Sequence, residues 1–183
     1  LMAAEGKRVD GAMAAVLGLA PEEVATACAA EGVDVANYNS PEQTVISGEA
    51  AAVDRAIERV KQAGARRVVP LAVSGAFHSR LMRPVAEEFA AAVTGVSVSE
   101  PTMPLVCNVS ATPLTTAEQV RRELVEQLYS PVGWVRTLEF LREAGVGRYV
   151  EIGPGNVLAG LAKRTLPGAT VASSDGLLTA VGG

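Results

Sequence analysis

The sequence predicts an α/β protein in two parts: a small ferredoxin-like βαββαβ unit set into part of a larger α/β-hydrolase-like layer with a parallel sheet. Three observations lead there. Short apolar runs alternate with stretches of helical periodicity along the whole chain. The first six such elements fall in the order strand, helix, strand, strand, helix, strand, within residues 12–72. Beyond residue 73 the alternation continues as single strands and helices, the pattern of parallel α/β layers.

Taken in order, residues 12–18 form a buried apolar run, and Pro21 opens a helix reaching about Glu31, with proline suited to a first helical turn. Val33 to Asn37 and Thr44 to Ser47 read as neighbouring antiparallel strands, with Tyr38 to Gln43 as the turn between them. Gly48 is expected to open a helix over 49–63, in which Val53, Ile57 and Val60 share a face. Gly64 closes it, and Arg66 to Leu71 is the fourth strand. Leu81, Val85, Phe89 and Val93 recur at helical spacing just after Phe77 and His78. Leu105 to Val109 reads as a short buried strand. Thr116 and Gln119 have capping-box spacing for a helix to about Tyr129, which Ser130-Pro131 stops. A helix over 134–144, a strand over 148–152, Gly153-Pro154-Gly155 and a final helix complete the series. Residues 12–72 are thus assigned to the ferredoxin-like subdomain, and residues 1–11 and 73–183 to the larger subdomain, whose opening strands are expected from sequence outside these residues.

Composition narrows the function. Apolar residues make up 49% and charged residues 20% of the 183, the balance of a folded globular chain. The net charge of −4 with scattered basic residues gives no footprint for nucleic acid or an anionic membrane. Apolar runs stop short of the roughly 18 residues a membrane span needs, and no signal-peptide pattern opens the chain, so a cytoplasmic setting is expected. Cys28 and Cys107 are far apart and apolar in context, which suits two buried free thiols and no metal or redox pair.

Few residues are left to carry chemistry. His78 is the only histidine, placed between a strand and a helix where α/β proteins keep their sites. A lone histidine is more commonly a hydrogen-bonded structural residue than a base, so the residue type alone does not decide. None of the ten serines sits in a Gly-x-Ser-x-Gly elbow. Gln127 falls in the last turn of its helix, where carbonyls lack intrahelical partners, so its backbone oxygen could hold one imidazole nitrogen and leave the other as a base. An ordinary helix residue fits Gln127 equally well, and Asn39 before Ser-Pro reads equally well as a turn former. Gly153-Pro154-Gly155 matches neither a dinucleotide nor a P-loop pattern.

Five segments in order carry a family resemblance: Gly11 to Gly18, Asn37 to Gly48, Gly75-Ala76-Phe77-His78-Ser79, Gln127-Leu128-Tyr129-Ser130-Pro131-Val132, and Glu151-Ile152-Gly153-Pro154-Gly155. Together they resemble the malonyl-CoA:acyl-carrier-protein transacylases and the related acyltransferase domains of fatty-acid and polyketide synthases. The resemblance implies that a serine attacks malonyl-CoA and passes malonyl to the phosphopantetheine thiol of acyl carrier protein. It further implies His78 as the base, the Gln127 carbonyl as its holder, Asn39 near the substrate, and Phe77 favouring malonyl over methylmalonyl by crowding an α-methyl group. Coenzyme A then takes part as thioester substrate, and no cofactor or metal is expected.

The family's serine elbow and its carboxylate-binding arginine have no match here and are expected from an N-terminal segment preceding Leu1. These residues alone are therefore expected to be inactive. An acyltransferase domain of a polyketide synthase, or a non-catalytic unit docking acyl carrier protein, are the alternatives the sequence leaves open.

Overall fold

The structure, a computed structural model, describes residues 10–73 and 75–174. The end segments 1–9 and 175–183, assigned above to the larger layer, lie outside the described residues, as does Ser74.

Strand β1 (Gly11–Leu17) is followed by helix α1 (Pro21–Ala29), strands β2 (Asp34–Ser40) and β3 (Gln43–Glu49), helix α2 (Ala50–Gln62) and strand β4 (Arg67–Pro70). The four strands form one antiparallel sheet in the order β2-β3-β1-β4. Alternation along β1 divides the sheet's two faces. Ala14 and Val16 point to one face with Ile46, where Val24 and Cys28 of α1 and Val53 and Val60 of α2 close a core. Met13 and Ala15 point to the other with Ala36 and Val45, and Leu71 and Phe77 lie over them. The chain leaving β4 thus crosses this second face on its way to His78. Gly11 lets it pass closely, since a Cβ there would come within 2.6 Å of the Ala76 amide nitrogen.

Two expectations in this region are corrected. The turn placed at Tyr38 to Gln43 shrinks to Pro41-Glu42, because both strands run on through Ser40 and Gln43. The reason is a partner remote in sequence: the Tyr38 N–H donates to the Val132 carbonyl at 3.0 Å and the Val132 N–H donates to the Ala36 carbonyl at 2.8 Å, so extended backbone wins over local turn preference. Gly48 belongs to β3 and not to a helix; a Cβ on it would lie 3.3 Å from the Val33 side chain, and α2 starts two residues later.

Past β4, a 3₁₀ turn (Arg80–Met82) leads into α3 (Arg83–Thr94). Strands β5 (Leu105–Val106) and β6 (Pro113–Leu114) form a minimal antiparallel pair. The expected strand over 105–109 is therefore only two residues long. Its chain turns at Cys107, whose N–H donates to the Thr112 carbonyl, and at Ala111, which has φ +58°. Helix α4 (Ala117–Glu126) begins with the expected capping box: the Thr116 hydroxyl accepts from the Gln119 N–H at 3.2 Å and the Gln119 side chain accepts from the Thr116 N–H at 3.1 Å. It ends at Glu126, with Gln127 as the C-cap, three residues before the expected stop.

Helix α5 (Trp134–Glu143), strand β7 (Arg148–Glu151), helix α6 (Val157–Thr165) and strand β8 (Thr170–Ser173) complete the described chain. β7 and β8 pair in parallel through α6, from Arg148 opposite Thr170 to Glu151 opposite Ser173. No helix among the described residues is long and apolar enough to cross a membrane, and no cluster of His, Cys, Asp or Glu among them could hold a metal ion.

Candidate active site

His78 is held by the end of α4. Its backbone N–H donates to the Leu128 carbonyl at 3.1 Å, and its ring Nδ1 lies 2.6 Å from the Gln127 carbonyl. Helix α4 supplies these oxygens because its last carbonyls have no intrahelical amide to bond. The two bonds hold His78 at φ +56°, a left-handed conformation uncommon for a residue with a Cβ. A carbonyl oxygen can only accept, so in the neutral ring Nδ1 carries the proton and Nε2 is the bare nitrogen. The half-buried ring makes no other hydrogen bond among the described residues.

The next residue fixes the chain direction. The fully buried Ser79 hydroxyl donates to the Ala76 carbonyl at 2.6 Å and accepts from the Leu81 N–H at 3.3 Å, capping the 3₁₀ turn. Arg80 then forks onto Asp34 of β2: its backbone N–H reaches Oδ2 at 2.8 Å and its Nη2 reaches Oδ1 at 2.6 Å. These hydrogen bonds hold the Arg80 guanidinium above the usual arginine value, so it stays charged. Arg83 stacks its guanidinium 4.4 Å from the centre of the Tyr129 ring.

A groove of about 490 Å³ opens beside His78, bordered by Tyr38, Arg80, Arg83, Tyr129 and Cys28. Cys28 is no nucleophile there: burial, aided by the Asp34 charge, pushes its thiol up to about 12. Chemically the groove offers an oriented imidazole, the Arg83 guanidinium and the Arg80–Asp34 ion pair, and no activated nucleophile among the described residues.

Of the four residues singled out in the sequence, the fold brings His78 and Gln127 together. Phe77 is half-buried against the second face of the sheet, beside Met13, Ala15, Ala36 and Val45. Asn39 lies in β2 with its amide 3.4 Å from the Gln43 side chain, and neither Asn39 nor Phe77 borders this groove. Sequence reasoning missed Glu123. It is the one buried residue of α4. Its Oε2 accepts from the Cys107 thiol at 2.6 Å and its Oε1 accepts from the Asn108 N–H at 2.8 Å.

Comparison with known proteins matches residues 2–179 to the family described as "Acyl transferase domain". The chain belongs to the acyl transferase domain family. Among relatives of this chain, the malonyl CoA-acyl carrier protein transacylase of Escherichia coli (strain K12) is 45% identical over 158 residues, covering 84% of this chain and 51% of that protein. The chain thus spans about half the length of the curated relatives it matches. Its α/β fold matches solved transacylases. The malonyl-CoA:acyl carrier protein transacylase of Xanthomonas oryzae superposes with a TM-score of 0.92 at 41% identity, covering 98% of this chain and 60% of that one. A malonyl-transacylase solved in complex with its type II polyketide synthase acyl-carrier protein superposes with a TM-score of 0.88 at 42% identity, covering 94% and 58%.

Proposed function

We propose that this chain works as the histidine-bearing part of a malonyl-CoA:acyl-carrier-protein transacylase in fatty-acid biosynthesis, in a cytoplasmic setting. The observation that carries the reading is the 2.6 Å contact between His78 Nδ1 and the Gln127 carbonyl, which leaves Nε2 free to take a proton. In this reading a serine hydroxyl, supplied like the carboxylate-binding arginine from sequence outside these residues, attacks the thioester carbonyl of malonyl-CoA. Its proton passes to Nε2 and then to the departing coenzyme A thiol. The pantetheine thiol of acyl carrier protein next attacks the malonyl-serine ester, gives its proton to the same nitrogen, and leaves with malonyl while the serine hydroxyl is restored. Coenzyme A is substrate throughout, and no cofactor or metal is assigned.

The same reading takes Asn39 as a substrate-side residue and Phe77 as the bulk that favours malonyl over methylmalonyl. It treats residues 12–72 as a ferredoxin-like subdomain, supported by the antiparallel order β2-β3-β1-β4, and residues 1–11 and 73–183 as part of the larger subdomain. The similar transacylase found with a polyketide carrier protein favours one second reading, an acyltransferase of polyketide synthesis.

The test is malonyl transfer from coenzyme A to carrier protein by the complete enzyme. His78→Ala is expected to lower kcat at least about 100-fold, the usual worth of a general base, and an unchanged rate would remove His78 from the mechanism. Running fatty-acid and polyketide carrier proteins side by side separates the two pathways.

A further inference from the structure

We infer that Glu123 is a positioning residue for His78, acting through Asn108 and Gln127. The inference rests on the reading of His78 as the base. A buried carboxylate is costly unless its oxygens are hydrogen-bonded, and both oxygens of Glu123 are taken by one turn: the thiol of Cys107 on Oε2, the N–H of Asn108 on Oε1. That turn is otherwise irregular, since β5 ends at Val106. Asn108, fixed in this way, grips the segment after α4 at two points. Its side-chain amide donates to Gln127 Oε1 at 3.3 Å, and its carbonyl accepts from the Gly133 N–H at 2.8 Å. Between those points lie the carbonyls of Gln127 and Leu128 that hold the ring and backbone of His78. Helix α4 has neither a glycine cap nor a basic last turn, and only the backbone bonds from the Leu128 N–H to the Val125 carbonyl and from the Tyr129 N–H to the Glu126 carbonyl, both at 3.2 Å, tighten its end locally. The Glu123 carboxylate, one helical turn earlier, does so from the side.

The test uses the state of the His78 ring, which gives unambiguous signals because it is the chain's only histidine. In nitrogen-15 spectra of the 183-residue chain near pH 8, a slowly exchanging proton on Nδ1 and a bare Nε2 are expected. Glu123→Gln keeps the side-chain volume, but its amide offers one acceptor oxygen to two donors. It is expected to abolish the slow Nδ1 proton signal and mix the two ring tautomers while circular dichroism stays that of a folded chain. Asn108→Ala should do the same, and the double variant no more than either single one, as for links of a single chain of contacts. An unaltered ring in folded Glu123→Gln, or additive effects in the double variant, would overturn the inference. Should Glu123→Gln not fold, an unaltered ring in Asn108→Ala overturns it equally. A ring that moves in these variants, in an enzyme whose His78→Ala form still transfers malonyl at full rate, keeps the positioning and removes the base. The two claims therefore fail separately.

Discussion

His78 and Glu123 show what a single residue can and cannot announce. The helix-end reasoning that tied His78 to Gln127 needed only a predicted helix and the rule that its last carbonyls lack partners, and the fold has that contact at 2.6 Å. Glu123 gave no such signal, because a glutamate on a helix is ordinarily solvated. It is buried only because donors 15 and 16 residues earlier in the chain come back to it. Asn39 and Phe77 came from resemblance, and their positions off the groove leave their roles to the transfer assay. Cys28 was read as a buried free thiol, and its surroundings give that reading a consequence. With its thiol pushed up to about 12 and the side chain 1% exposed, it stays protonated and covered at neutral pH. Reactivity should rise only as pH approaches that value or the fold opens. A maleimide at pH 7 should therefore leave Cys28 unlabelled in the native chain and label it fully in denaturant, as read by mass spectrometry; prompt native labelling would show that the α1–β2 wall opens readily.

Among elements, those with strong local chemistry were legible and those decided by remote partners were not. The capping box of α4 is written in Thr116 and Gln119 themselves. Thr116→Ala should cost about 1 kcal/mol, seen as a lower urea midpoint with unchanged slope; no change in midpoint would mean that tertiary contacts alone fix the helix start. The β2–β3 hairpin was found but its turn was drawn too long, since Asn39 and Ser40 favour turns locally while Val132 pairs with Asn37 from outside the hairpin. The strand expected at 105–109 failed for a related reason: a carboxylate took the hydrogen bond at Asn108 that a neighbouring strand would have used. Strand β8 was not anticipated, because four residues of mixed character read as a strand only once β7 lies beside them.

At the scale of the molecule, the βαββαβ succession was legible and the fold gives its strands the antiparallel order β2-β3-β1-β4, whereas the parallel layer is represented among the described residues by β7 and β8 alone. Ile152, just beyond β7, is 88% exposed there. The bridge between Asn37 and Val132 has a consequence for motion. It seals the outer edge of the sheet with the stretch of chain that also carries the Leu128 and Gln127 oxygens, so that edge cannot peel away without loosening the imidazole. The amides of Tyr38, Val132 and His78, drawn from three distant parts of the sequence, should accordingly trade their protons for deuterium as one cooperative group with a shared opening free energy. A markedly faster exchange at His78 than at the other two would mean that the ring's tether breathes on its own, and that the sheet plays no part in keeping it ready.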